Sequence, residues 1–242
     1  MIDPKASIES KIEQVQSKGD LALVIFDIDD TIIDCRHRKL KVFRDFCSQD
    51  QIQDQFRQES EIVLNANIQD IAYRVTDCMK NLGIKSIDFV EQLATFWVGN
   101  YFTYPYIKDD LPFPGAESFV QGCHNAGAHI VYLTGRDEPG MGRGTREILA
   151  KLDFPWKNDD TSLFMKPDPA MDDFSYKKAV LNDIAKLGTV VASFENELKN
   201  LNQMAAHFPE ALMYWRNTLY LPDPPEPHPK VETLSHFPKV IS

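Results

Sequence analysis

The sequence predicts an α/β protein built on a parallel β-sheet with helices on both faces, and three observations lead to this fold class. After residue 113, short apolar runs alternate with helical patterns, as in proteins with a parallel sheet. The run LALVIF at 21–26 is continuous, which is typical of a strand buried on both faces. Residues 36–100 contain no proline and show helical spacing, which predicts an inserted all-helical block of about four helices.

The remaining elements follow in order along the chain. Ile8, Ile12 and Val15 recur at helical spacing, which predicts an amphipathic helix over residues 4–18 that ends near Gly19. Later apolar runs predict further strands, separated by helices, at residues 129–134, 162–166, 189–194 and 211–215. In such a sheet, ligands bind at the carboxyl ends of the strands, so polar residues at those ends are candidates for chemistry.

A domain boundary is expected where proline and glycine gather after the helical block, at Pro105, Pro112, Pro114 and Gly115. We therefore predict that residues 1–34 and 113–242 form the α/β core and that residues 35–112 form a helical insertion. The proline-rich segment 222–229 cannot continue a helix or a central strand, so we expect it to be extended and exposed.

Composition excludes several classes of function. The 36 acidic and 26 basic residues give a formal charge of -10, which disfavours nucleic-acid binding. No apolar run approaches the roughly 20 residues of a membrane helix, and the charged start of the chain does not resemble a secretory signal. The four cysteines are widely spaced, without a CxxC pattern, which argues against a zinc site and a disulfide framework. These features predict a cytoplasmic protein with reduced thiols.

Asp27, Asp29 and Asp30 directly follow the buried strand at 21–26. In extended backbone, the spacing of Asp27 and Asp29 points both carboxylates to the same side. Clustered carboxylates repel one another and favour a hard cation such as Mg²⁺, and a free carboxylate can also attack phosphorus. The alternative is a solvated acidic turn or a helix cap, where aspartate is common.

A second polar group, Thr134, Gly135 and Arg136, follows the predicted strand 129–134. A threonine hydroxyl beside a glycine amide is suited to binding phosphoryl oxygens, although a simple strand-to-loop turn has the same composition.

Two lysines and a glutamate complete the candidates. Lys177 lies near the start of a predicted helix and Lys166 at the end of a predicted strand, and either can neutralise phosphate charge or be an ordinary surface lysine. Glu195 ends the strand at 189–194, where a buried acid is costly unless it meets a cation. Acids that complement a helix dipole are the alternative.

Taken together, these motifs resemble those of the haloacid dehalogenase-like (HAD) superfamily, in order and at strand ends. Motif one is FDIDDT at residues 26–31, motif two is LTGR at 133–136, motif three is a lysine and motif four is FENE at 194–197. The resemblance implies a Rossmann-like core with a helical cap inserted after motif one. Many members carry aspartate at the place of Glu195, so this chain departs from the family pattern there.

By this resemblance, Asp27 would be the nucleophile, Asp29 the general acid and base, and Thr31 a structural support. Thr134, with Gly135 and Arg136, would bind the phosphoryl group. Lys177, or alternatively Lys166, would be the motif-three lysine. The metal ligands would be the Asp27 carboxylate, the Asp29 backbone carbonyl and Glu195, with Glu197 or Asn200 in supporting contact.

The function implied is Mg²⁺-dependent hydrolysis of a small-molecule phosphate ester through an aspartyl phosphate on Asp27. The cap, residues 36–112, would set substrate selectivity. Dehalogenation ranks lower, because a halide needs no proton donor whereas Asp29 is placed to protonate an alkoxide. A polynucleotide end phosphatase is disfavoured by the charge of -10. A non-catalytic HAD-fold binding protein is the third alternative, suggested by the unusual FENE motif.

Overall fold

The computed structural model describes residues 4–156 and 159–238. Within them the chain forms a six-stranded parallel sheet in the order β3-β2-β1-β4-β5-β6. The strands are β1 Ala22–Phe26, β2 His129–Asp137, β3 Thr161–Lys166, β4 Thr189–Glu195, β5 Leu212–Arg216 and β6 Val231–Leu234. The predicted α/β fold class is therefore confirmed.

Apart from shifts of one residue at strand ends, the strands differ from the sequence prediction in two places. Strand β2 continues three residues past Thr134, so that Asp137 pairs with Lys166 of β3. Strand β6 was not predicted, because VETL is short and follows the proline-rich segment. Segment 222–229 itself contains no helix or strand and is largely exposed, as expected.

In the described residues, one helix precedes β1 and the others lie between β1 and β5. Their bounds are α1 Pro4–Gln16, α2 Arg36–Cys47, α3 Asp50–Gln55, α4 Arg57–Leu64, α5 Val75–Asn81, α6 Ile87–Asn100, α7 Tyr104–Ile107, α8 Ala116–Asn125, α9 Glu138–Lys151, α10 Asp173–Ala185 and α11 Leu198–His207, with a 3₁₀ helix at Ile68–Asp70. Among the described residues, no helix is both long enough and apolar enough to cross a membrane.

The predicted number of four helices between residues 36 and 100 was wrong, since this stretch holds five α-helices and the 3₁₀ helix. The extra breaks lack proline, and the break between α3 and α4 at Phe56 has no capping side chain either, whereas the 3₁₀ helix and α6 begin at capping side chains. Asn67 and Asp70 form a capping box, and the Ser86 hydroxyl accepts a hydrogen bond from the backbone of Phe89. Such polar interruptions are weak signals in a sequence.

Strand β1 is buried on both faces, as its continuous apolar run predicted. Val24 and Phe26 belong to the core on one face, whereas Leu23 and Ile25 belong to the core on the other. The helices between residues 36 and 100 pack around a third core that includes Phe43. A separate core is what an inserted domain requires, and the boundaries 1–34, 35–112 and 113–242 remain predictions.

Candidate active site

A cavity of about 200 Å³ lies at the carboxyl ends of β1, β2 and β4. The ends of parallel strands meet at one edge of a sheet, so residues far apart in sequence converge there. The lining includes the predicted site residues Asp27, Asp29, Thr134, Gly135, Arg136, Lys177 and Glu195. Asn196, Glu197 and Asn200 line it as well, together with Lys39, Tyr73, Trp97, Tyr101 and Phe102 from the helical block.

Asp27 is buried at the floor of this cavity, with 4% of its surface exposed. Its Oδ1 accepts a hydrogen bond from Lys177 Nζ at 2.7 Å, and its Oδ2 accepts one from Thr31 Oγ1 at 2.9 Å. Burial raises the pKa of the Asp27 carboxyl, and the ammonium of Lys177 offsets part of this effect. Each oxygen keeps a lone pair, so the carboxylate is held in place but is free to bind another group.

Lys177 bridges two buried carboxylates. Its Nζ lies 2.7 Å from Asp27 Oδ1 and 2.7 Å from Glu195 Oε2. Burial opposes the charge on Lys177, but the two carboxylates outweigh it and raise the pKa of the ammonium. Burial, with the charge of Asp27, raises the pKa of Glu195 to about 8. One ammonium therefore faces two acids, which leaves a need for further positive charge.

The structure separates the two candidate lysines. Helix α10 carries Lys177 into the cavity, whereas the ammonium of Lys166 contacts the backbone carbonyls of Pro169 and Met171 and lies 2.7 Å from the carboxylate of Asp173. Lys166 is not among the residues that line the cavity.

Asp29 is clamped by two buried arginines. Arg136 donates to both of its oxygens, Nε at 2.9 Å and Nη2 at 2.6 Å, and Arg38 Nη2 donates at 2.8 Å. Burial disfavours its charge, yet the two guanidinium groups outweigh burial and hold the pKa of Asp29 well below its ordinary 3.8. The carboxylate, with 31% of its surface exposed, is therefore ionised in this arrangement.

Asp110 completes a four-membered ionic cluster with Asp29, Arg38 and Arg136. Its side chain is fully buried and accepts hydrogen bonds from both arginines, including Arg136 Nη2 at 2.7 Å. Sequence reasoning missed the roles of Arg38 and Asp110. The only signal was their charge near motif one and near the end of the helical block, and many surface residues share that signal.

The side chains of motif two make contacts that differ from the phosphate binding predicted for them. The groups of Arg136 that donate hydrogen bonds are directed to Asp29, Asp110 and Thr145, and the guanidinium has no exposed surface. Thr134 is buried, and its Oγ1 accepts a hydrogen bond from the backbone of Arg136 at 3.2 Å. The assignment of Arg136 to phosphate binding stays a prediction that this geometry does not favour.

Gly135 allows a close approach by a neighbouring acid. A Cβ atom at this position would lie 2.3 Å from Asp173 Oδ2, at the first turn of α10. The absence of a side chain therefore lets α10, which carries Lys177, begin against this loop.

The turn after Asp27 has an unusual backbone. Asp30 has a φ of +55°, in the left-handed region, and the amides of Ile32 and Ile33 both donate to the carbonyl of Ile28. Aspartate tolerates this conformation better than most residues. Burial raises the pKa of the Asp30 carboxyl to about 8, which favours its neutral form at pH 7. This turn brings Thr31 back to hydrogen-bond with Asp27.

The oxygen donors fit a magnesium ion. No group of three or more His, Cys, Asp or Glu residues in the described ranges is arranged to enclose a metal. Mg²⁺, however, is usually held by one or two carboxylates, with waters and substrate phosphate completing the octahedron. Asp27 and Glu195 supply two carboxylates beside a single ammonium, and the amide of Asn196 and the carbonyl of Asp29 are neutral oxygen donors at the same end of the sheet.

The parallel sheet places a buried carboxylate, a lysine and a threonine around one cavity at the ends of its strands. This arrangement is suited to hydrolysis through a carboxylate nucleophile. The family model of the haloacid dehalogenase-like hydrolases matches residues 21–172, and the chain belongs to this family. The resemblance seen in the motifs is thereby confirmed. None of the curated proteins compared with the chain matches it.

Solved structures share this fold at low sequence identity. A protein from Burkholderia xenovorans LB400, described as a haloacid dehalogenase-like hydrolase, is 14% identical with a TM-score of 0.51, over 89% of this chain and 93% of that one. Protein Tyrosine Kinase A from Mycobacterium tuberculosis is 14% identical with a TM-score of 0.51, over 88% of this chain and 93% of that one. Likeness at this level concerns the fold.

Proposed function

We propose that this hydrolase cleaves small-molecule phosphate monoesters, with Asp27 as the nucleophile and Mg²⁺ as the cofactor. The observation that carries the proposal is the Asp27 carboxylate, buried at the cavity floor and held by Lys177 at 2.7 Å and Thr31 at 2.9 Å. A positioned carboxylate loses little entropy on attack, and the adjacent ammonium stabilises charge that develops on phosphorus.

The reaction proposed has two displacements. An oxygen of Asp27 attacks phosphorus and the bond from phosphorus to the ester oxygen breaks, with a proton from Asp29 going to the leaving alcohol. Water then attacks the phosphorus of the aspartyl phosphate, gives its proton to Asp29, and releases phosphate and the Asp27 carboxylate. Thr134 and Lys177 contribute hydrogen bonds to the phosphoryl oxygens.

Magnesium would be held by the carboxylates of Asp27 and Glu195 and by the backbone carbonyl of Asp29. When bound, the ion supplies positive charge for the phosphoryl oxygens and offsets the repulsion between the two acids. The raised pKa values of both acids are consistent with this assignment, because burial of the two carboxyl groups outweighs the stabilising charge of Lys177.

Asp29 can act as the acid only after it leaves the arginine clamp and takes up a proton from solvent, because a carboxylate paired with Arg38 and Arg136 holds no proton to donate. We propose that it turns toward the substrate when the ester binds. Its 31% exposed side chain gives it a path into the cavity.

The substrate proposed is small. A cavity of about 200 Å³ fits a phosphate with a short organic group, and the formal charge of -10 disfavours a polynucleotide. Lys39, Tyr73 and Trp97 from the helical block line the same cavity, so we propose that this block contacts the leaving group and determines selectivity. Four buried free cysteines support a cytoplasmic location, where thiols stay reduced.

The clamp on Asp29 favours carbon–halogen hydrolysis as a second candidate. A halide leaves without a proton, so an Asp29 that stays ionised does not slow the first step of a dehalogenase. In that reaction, Asp27 displaces halide from carbon to form an ester. Water then attacks the carbonyl carbon of Asp27, the bond from that carbon to the ester oxygen breaks, and the product leaves as an alcohol that takes a proton from the water.

Turnover in water enriched in ¹⁸O separates the two reactions. We expect magnesium-dependent hydrolysis of a generic aryl phosphate, loss of that activity in Asp27→Asn, and ¹⁸O in the released phosphate. Incorporation of ¹⁸O into Asp27 on turnover of a small haloacid, read by mass spectrometry of the peptide, would instead establish the dehalogenase.

The role of Asp29 is tested with esters of different leaving groups. We expect Asp29→Asn to lose alkyl phosphate hydrolysis by about 10²-fold or more and aryl phosphate hydrolysis less, since a good leaving group needs less protonation. Equal losses on both ester classes would show that Asp29 is not the acid.

A further inference from the structure

Arg216, at the end of β5, is a buried cation that lacks an acidic partner. Only 1% of its surface is exposed, and in residues 4–156 and 159–238 no carboxylate pairs with it. Its Nε donates to the carbonyl of Thr31 at 3.2 Å and its Nη1 to the carbonyl of Leu234 at 2.6 Å. The other two fully buried arginines, Arg38 and Arg136, both contact carboxylates.

This lack of a counter-charge has a physical cost. Burial without a carboxylate lowers the pKa of Arg216 to about 10, which is unusual for a guanidinium. Carbonyl dipoles and the rings of Phe113 and Phe237, whose centroids lie 5.4 and 4.2 Å from its Cζ, stabilise the charge in part. An anion beside Arg216 would compensate it fully.

Arg216 borders a second cavity of about 590 Å³, which is large enough for an organic molecule. Its walls combine the rings of Phe113 and Phe237 with hydrogen-bonding side chains of Thr218, Ser235 and His236. Arg36 also lines it, but the guanidinium of Arg36 is already paired with Asp34 at 2.6 and 2.7 Å. Arg216 is therefore the uncompensated charge of this cavity.

We propose that this second cavity binds a small organic anion, with its acidic head on Arg216 and an apolar body against Phe113 and Phe237. A charged head on a guanidinium forms short, charge-assisted hydrogen bonds. The apolar rings select a ligand with an apolar body over a bare inorganic ion.

The site is separate from the proposed catalytic cavity, since the two share no lining residue. A short path of hydrogen bonds nevertheless connects them. Arg216 donates to the carbonyl of Thr31, and the hydroxyl of Thr31 donates to Asp27. Removing Arg216 would disturb both sites, so the test uses the exposed Ser235, which follows the residue that accepts from Arg216 Nη1.

The test is calorimetric titration of the full chain with benzoate, and with neutral benzamide as the uncharged analogue. We expect benzoate to bind the wild type and Ser235→Asn with equal affinity in the millimolar range or tighter. We expect Ser235→Asp to weaken benzoate binding by about tenfold or more, because its carboxylate competes for the charge of Arg216. Benzamide should not bind measurably.

The ¹⁵N-edited NMR signal of the Arg216 Nε–H group locates the anion. It should shift on addition of benzoate to the wild type, and in Ser235→Asp the same shift should need about tenfold more benzoate or more. The proposal is overturned if benzoate does not bind, if benzamide binds as well as benzoate does, or if Ser235→Asp binds benzoate as the wild type does.

Discussion

Replacing Asp110 by asparagine tests the ionic cluster that clamps Asp29. The Asp110 carboxylate is fully buried and accepts hydrogen bonds from Arg38 and Arg136. The change keeps the shape of the side chain but removes one of two negative charges that face two guanidinium groups. A net positive charge is then left in the interior.

The expected loss of stability follows from this uncompensated charge. Removing one partner of a buried ion pair costs about 3–5 kcal/mol. We expect about 3 kcal/mol here, because Asp29 still contacts both arginines and is partly exposed. For a chain of this size, that loss lowers the Tm by about 6–12 °C.

Urea unfolding followed by circular dichroism measures the change in free energy. The adjacent Asp109 is exposed, so Asp109→Asn is a matched control that changes the same charge at the surface, where we expect less than about 0.5 kcal/mol. A loss below about 1 kcal/mol in Asp110→Asn would refute the reasoning, because it would show that the two arginines do not depend on this carboxylate.

Further predictions concern a hydrogen bond, a buried imidazole and a glycine. Thr31→Val removes the hydrogen bond to Asp27 and should lower kcat for an aryl phosphate by roughly tenfold. Burial lowers the pKa of His129 below 6.5, so the folded state binds fewer protons than the unfolded state. The wild type should therefore lose stability as the pH falls from 7 through that pKa. The variant His129→Gln should not show this loss. Gly188→Ala places a Cβ 2.3 Å from a backbone carbonyl oxygen and should cost about 1–3 kcal/mol, whereas Gly99→Ala, with nothing within 4 Å, should stabilise by about 0.5–1 kcal/mol.

Each of these has its own control. Thr31→Ser keeps the hydroxyl and should retain kcat, and an unchanged kcat in Thr31→Val would contradict the proposed support of Asp27. Parallel pH profiles of unfolding for the wild type and His129→Gln would show that His129 does not titrate differently on folding. Equal Tm values for Gly188→Ala and Gly99→Ala would mean that the loop before β1 moves aside at no cost.

Much of the fold could be predicted because the signals are local. A continuous apolar run such as 21–26 marks a buried strand through its own residues, and the polar residues that follow it must then lie at the edge of the sheet. This is why Asp27, Thr134 and Glu195 could be assigned to one site. Short elements such as β6 escaped prediction, since four residues carry too little periodicity and depend on a neighbouring strand to form.

The choice between Lys177 and Lys166 is one that local sequence patterns could not make. Both lie next to predicted elements, and only the packing of α10 against β2 brings Lys177 to Asp27, 150 positions earlier in the chain. The sequence contains both candidates but not the distance between a lysine and a carboxylate.

The sequence by itself determined the parallel α/β architecture and the set of residues at its carboxyl edge, because apolar periodicity and strand ends are properties of short segments. Only the tertiary structure decided that Asp29 is clamped by Arg38 and Arg136 and that Arg216 is buried without an acid. The reason is electrostatic: the protonation and pairing of a charged group depend on distances and burial, which arise only when distant segments pack together.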